Sequence, residues 1–175
     1  MFRPRANAYL GADATEERAR SVGRDVPFIH YACHAVINGR FPLDSALVLS
    51  IPEHPREGQD NGLLQAWEIF ERMRIDADLV TLSSCDSGLG KEMGGEGLIG
   101  LTRAFQYAGA RSVLASLWKV DDKATSELMK RFYTHLKTGM TKDEALRRAQ
   151  AELIRSAEFS QPWDWAAFQL NGDWK

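Results

Sequence analysis

Residues 79–117 read LVTLSSCDSGLGKEMGGEGLIGLTRAFQYAGARSVLASL. Leu79 to Ser84 is an aliphatic and β-branched run of strand length that ends at Cys85, and Ser112 to Leu117 is a second such run. Between them Leu98, Leu101, Phe105 and Ala108 recur at helical spacing before Gly109, a residue suited to the left-handed turn that stops helices. Strand, helix and strand in that order predict a parallel pair joined by a crossover helix. The fold class that follows is α/β, with a mostly parallel central sheet flanked by helices on both faces.

Outward from this unit the same rhythm holds. Upstream, Phe28 to Cys33 reads as a strand, preceded by a helix starting near Asp13 with Glu16 three residues on and stopped by Gly23. Residues 38–62 are rich in Gly, Pro, Asn and Asp with one strand-like run, Ala46 to Ser50, which predicts a loop carrying a small hairpin insertion. Leu63, Trp67 and Phe70 then give a helical face. Downstream, Ala124, Leu128, Phe132 and Leu136 predict a helix over 122–137 before Gly139, and Thr141 with Glu144 forms a capping box for another through Leu153. Pro162-Trp163-Asp164-Trp165 leads into a last strand, Ala166 to Leu170. No internal repeat or low-complexity linker interrupts the chain.

The chain has 175 residues, 44% apolar and 26% charged, the composition of one folded domain spanning 1–175. Basic residues number 22 against 24 acidic, and neither sign forms a block, which excludes a nucleic-acid patch or a membrane-surface patch. No apolar run approaches the roughly eighteen residues of a membrane span, and no leader pattern opens the chain, so the expected location is cytoplasmic. Two cysteines, Cys33 and Cys85, are too few for a disulfide framework, and each needs a reason.

In an open parallel sheet, ligands and reactive groups collect beyond the carboxyl ends of the strands. His34 follows the strand 28–33 and Cys85 follows the strand 79–84, so if these strands are neighbours both residues lie on one rim. A cysteine attacks as thiolate, and a nearby imidazolium lowers its pKa and can later protonate a leaving amine; the pair is the minimum equipment for acyl transfer. The N–H of Cys85 and one beside His34 can hold an oxyanion. The ordinary reading of the same residues is a buried small cysteine and a hydrogen-bonded strand-end histidine.

His30-Tyr31-Ala32-Cys33-His34-Ala35, Phe41 to Ser50, Leu79 to Gly90, Ser116 to Asp122 and the closing Trp165-Ala166-Ala167-Phe168 resemble, in order, the signature blocks of CHAT domains. These are caspase-like peptidases of the caspase and separase clan, and the likeness runs from about Tyr9 to the C-terminus. The resemblance implies a caspase-like α/β fold and a cysteine endopeptidase that uses no metal or organic cofactor. It makes His34 the catalytic histidine and Cys85 the nucleophile, with the N–H groups of Ala35 and Cys85 as the oxyanion hole. No third triad member is identifiable. The family usually has glycine where this chain has Ala35; alanine keeps the N–H but resists φ > 0. The family also has a leading strand and helix that these residues lack, so an exposed sheet edge covered by self-association or a partner is expected.

In separase-type relatives an acid after the following strand lines the primary pocket. Asp122 falls on that position, with Asp121 and Asp86 as fallbacks, and the resemblance implies cleavage after a basic residue, arginine before lysine. Asp122 equally suits a helix cap. Family members are commonly fused to tetratricopeptide-type helical repeats; none occurs in this sequence, so a regulatory partner or flanking segment is expected beside the polypeptide substrate. The competing class is a catalytically silent CHAT-fold regulatory or interaction module.

Other patterns carry less. Gly95-Glu96-Gly97-Leu98-Ile99-Gly100 matches a dinucleotide fingerprint, with Asp121 as a ribose acid, but that fingerprint opens directly at a strand end and here ten positions separate Cys85 from Gly95. Gly90-Lys91 lacks the Ser or Thr of a phosphate loop. His30 and His34 would stand about 13 Å apart on one strand face, too far to share a metal, so His30 reads as structural. Cys33 reads as core, His54 and His135 as surface, and Trp163-Asp164-Trp165 as packing.

Overall fold

The computed structural model describes residues 6–55, 61–83 and 95–175, with side chains of the last stretch from residue 98 onward. Cys85, Asp86, Gly88, Gly90, Lys91 and Gly94 therefore lie outside the described residues. In chain order the elements are α1 (Glu16–Arg20), β1 (Phe28–Tyr31), β2 (His34–Val36), β3 (Ala46–Val48), β4 (Leu63–Gln65), α2 (Ala66–Arg72), β5 (Leu79–Leu82), α3 (Gly95–Ala108), β6 (Ser112–Ser116), α4 (Asp122–Lys137), α5 (Lys142–Ile154), α6 (Pro162–Trp165) and β7 (Phe168–Gly172).

The main sheet has the order β1-β5-β6-β7. The pairs β1·β5 and β5·β6 are parallel and β6·β7 is antiparallel. Strand periodicity sends alternate residues to opposite faces. Ile29, Tyr31, Val80, Leu82, Val113 and Ala115 pack with Ile69 of α2 and Leu101 and Phe105 of α3. Leu79 and Leu114 pack on the other side with Leu128 and Phe132 of α4 and Leu146 and Leu153 of α5. Both sheet faces are thus covered by helices. Phe105 and Phe132 are fully buried, worth about 1.5–3 kcal/mol each.

Helix ends follow local chemistry. Thr15 caps α1, its side chain accepting from the Arg18 N–H, so the cap is two residues later than the Asp13 start read from sequence. Arg20 reaches both the buried Glu16 and Glu68 of α2, at 2.5 and 3.1 Å, and this pairing ties α1 to α2. The helix α3 stops at Gly109, where φ is 118° and a Cβ would lie 1.9 Å from the Ile75 carbonyl oxygen. Thr141 stands at the N-cap of α5 but makes no side-chain cap hydrogen bond, which corrects the capping box expected there.

Three further boundaries differ from the sequence reading, each because of strand pairing. The run 28–33 stops being sheet at Tyr31, since β2 leaves the main sheet to pair antiparallel with β3. The hairpin insertion near 38–62 becomes a three-stranded antiparallel sheet, β2-β3-β4, reaching to Gln65. Leu63 pairs with Val48 as strand, so α2 starts later and buries Ala66 and Ile69, while Phe70 faces outward and stacks on Tyr107 at 3.8 Å.

Candidate active site

Strands β1 and β5 are adjacent and parallel, with Tyr31 opposite Leu82, so both open at their carboxyl ends onto one rim. The chain leaves β1 through Ala32 and Cys33 and enters β2 at His34, whose side chain is exposed. His34 thus begins a strand of the small sheet rather than following β1 directly. Cys85, three positions after Leu82 in the sequence, lies outside the described residues, as does Asp86.

Ala35 is buried and pairs with Leu47. No described residue other than glycine has positive φ, so alanine in place of the family's glycine carries no left-handed strain. The ladders decide where its N–H points. Ala66 N–H donates to the Ser45 carbonyl and Leu49 N–H to the Gly62 carbonyl, so Ser45, Leu47 and Leu49 exchange bonds with the β4 side. Ala46 and Val48 must then turn their main-chain groups to β2, opposite Val36 and His34. Ala35, lying between those two, aims its N–H off the outer edge of β2.

Cys33 packs partly against the core, and burial pushes its thiol up to about 11 despite a hydrogen bond from Val48. It is a protonated, poorly nucleophilic thiol at neutral pH. His30 behaves as its structural reading requires. Its Nε2 lies 2.6 Å from the Ser83 hydroxyl and its Nδ1 3.4 Å from the Tyr133 hydroxyl. The residue is exposed by its overall surface, yet desolvation of the imidazole lowers its pKa from 6.5 to about 4. Among the described residues no cluster of metal-ligating side chains occurs. Ser83 and Tyr133 were not singled out by sequence, although register offered a sign: Phe28 and His30 share a sheet face with Leu79, Thr81 and Ser83.

The two acids after β6 are placed differently. Asp121, not Asp122, caps α4, accepting from Lys123 N–H at 2.9 Å and Ala124 N–H at 3.2 Å. That role also accounts for Asp121 without a ribose. Asp122 lines an open hollow of about 440 Å³ with Lys123, Ser126, Glu127, Glu158 and Phe159. Gly95 starts α3, so the glycine pattern 95–100 runs inside a helix; at Gly100 a Cβ would stand 2.7 Å from the Pro42 carbonyl oxygen. Helix packing, and not a phosphate, requires that glycine. His135 is largely buried and pairs with Glu152 at 2.9 Å, a correction to its surface reading. Trp163 is exposed and stacks on Trp118, whereas Trp165 packs partly against the α4/α5 core.

A parallel-containing sheet flanked by helices on both faces is compatible with the class to which the chain belongs. The chain is a member of the CHAT domain family, whose model matches residues 1–173, and CHAT domains belong to the caspase-like clan. It is similar to tetratricopeptide repeat protein 28 of Mus musculus and of Homo sapiens, 31% identical to each over 196 residues. The match takes in 93% of this chain and spans 8% of the length of those relatives. No helix among the described residues is long and apolar enough to cross a membrane.

Proposed function

We propose that the 175 residues form one caspase-like peptidase domain, a cysteine endopeptidase acting in the cytoplasm after a basic residue. The observation that carries this reading is the adjacency of β1 and β5, whose parallel pairing opens the ends leading to His34 and Cys85 onto one rim. The Cys85 thiolate attacks the scissile carbonyl, and the N–H groups of Ala35 and Cys85 hold the oxyanion. His34, having taken the thiol proton, passes it to the leaving amine as the thioester forms, then takes a proton from the water that hydrolyses the thioester, which releases the acid and restores the thiolate beside a protonated His34. Asp122 pairs with the basic side chain before the cut bond, with Asp121 and Asp86 as the other acids nearby in sequence.

The relatives carry fused repeats by name, which supports control of this domain by a helical-repeat segment or partner. The same fact favours a second reading, a catalytically silent CHAT-fold module that binds rather than cuts. A thiol-reactive peptide probe ending in arginine separates the two. Labelling lost in Cys85→Ala and reduced about a hundredfold or more in His34→Ala supports the peptidase. Absence of labelling with added partner under any condition supports the silent module.

A further inference from the structure

We propose that His30 is a positioning residue that fixes the nucleophile-bearing end of β5 through its hydrogen bond with the Ser83 hydroxyl. The inference rests on the peptidase reading above. His30 stands opposite Thr81 in the β1·β5 register, and Tyr133 of α4 lies over both. The Tyr133 hydroxyl donates to Thr81 Oγ1 at 2.8 Å, which leaves its oxygen as acceptor for the Nδ1–H of His30 at 3.4 Å. With the proton on Nδ1, Nε2 is the acceptor, and Ser83 Oγ–H donates to it at 2.6 Å, the short end of the range for such bonds. Tilted ring packing of His30 on Tyr133, 5.7 Å between centroids, fixes the imidazole plane. Four side chains from β1, α4 and the end of β5 are thus joined in one directional chain.

Ser83 is two residues before Cys85 in the sequence, so a bond that holds Ser83 holds the start of the segment that carries the nucleophile. A Ser–His contact of this length also resembles an activated serine. Burial, however, leaves His30 with the basicity of a group titrating at about 4, too weak to take a proton from a hydroxyl near neutral pH. The pair therefore holds Ser83 and does not activate it.

The test uses the full chain with Cys33→Ala, so that alkylation reports Cys85 alone, and compares Ser83→Ala, His30→Phe, His30→Gln and the Ser83→Ala/His30→Phe double variant. Readouts are kcat and KM on an arginyl fluorogenic peptide, the pH midpoint of iodoacetamide alkylation at Cys85, and the melting temperature. We expect kcat to fall about tenfold in both single variants, with KM within about twofold, and the double variant to fall no further. His30→Gln should recover most of the loss, and the alkylation midpoint at Cys85 should rise by about one pH unit in Ser83→Ala if the thiol loses its proposed placement on the rim. Multiplying losses in the double variant, a loss carried by KM, or an unmoved midpoint in Ser83→Ala would overturn the proposal. If the parent cuts no peptide, the peptidase reading fails, and the alkylation midpoint by itself decides whether His30 positions the thiol.

Discussion

Replacing Asp121 and Asp122 one at a time tests the proposed specificity acid against its neighbour, because Asp121 is held as the cap of α4. Asp121→Ala removes an acceptor shared by two main-chain N–H groups at 2.9 and 3.2 Å. Exposed caps of this kind are worth about 1 kcal/mol, and a domain of this size loses about 2–4 °C of melting temperature per kcal/mol. Asp122→Ala removes a first-turn charge whose interaction with the helix dipole of α4 is worth roughly 0.3–1 kcal/mol. On substrates the order reverses. A carboxylate paired with a guanidinium contributes about 1.5–3 kcal/mol, so Asp122→Ala should lower kcat/KM on an arginyl peptide about 10- to 100-fold. Its effect on a leucyl peptide should be small. The assay pairs thermal melts with a fluorogenic library varied at the residue before the cut. An arginine preference lost in Asp121→Ala and kept in Asp122→Ala would refute the proposed assignment of the specificity acid.

Three further outcomes are expected. Iodoacetamide at pH 7.5 should modify Cys85 and spare Cys33, whose thiol titrates at about 11, and peptide mapping that finds Cys33 alkylated first would contradict its burial. Because His30 stays neutral in the folded protein down to about 4 while the unfolded chain protonates it near 6.5, the unfolded state binds the extra proton between those values. Its contribution to stability is therefore fully present above pH 6.5, falls as pH drops toward 4 and then levels; urea melts of His30→Phe should show that slope reduced, and a parent more stable at pH 4.5 than at 6.5 would be inconsistent with it. Gly109→Ala places a Cβ against the Ile75 carbonyl at positive φ and should cost about 3 kcal/mol or more in the same melts, a loss below about 1 kcal/mol meaning that α3 and the segment after α2 can part.

Sequence by itself determined what short-range chemistry specifies. The apolar stripe of α4 and the Gly139 that follows it were readable, and so were β5 and β6 as apolar runs with a helical period ending at Gly109 between them. His34 and Cys85 were singled out from local strings and family likeness, though His34 proved to begin β2 rather than to follow β1 directly. Tertiary structure alone decided where the run 28–33 stops, since the departure of β2 depends on pairing with residues 46–48, a contact with no local signature. It decided that Gly100 answers to Pro42 rather than to a phosphate, and that Asp121 rather than Asp122 turns back onto the helix. It also decided that His30 meets Ser83 and Tyr133, residues 53 and 103 positions away in the chain. Hydrogen bonds of that kind depend on strand register and helix packing, which are set by burial across the whole sheet, so no window of sequence contains them.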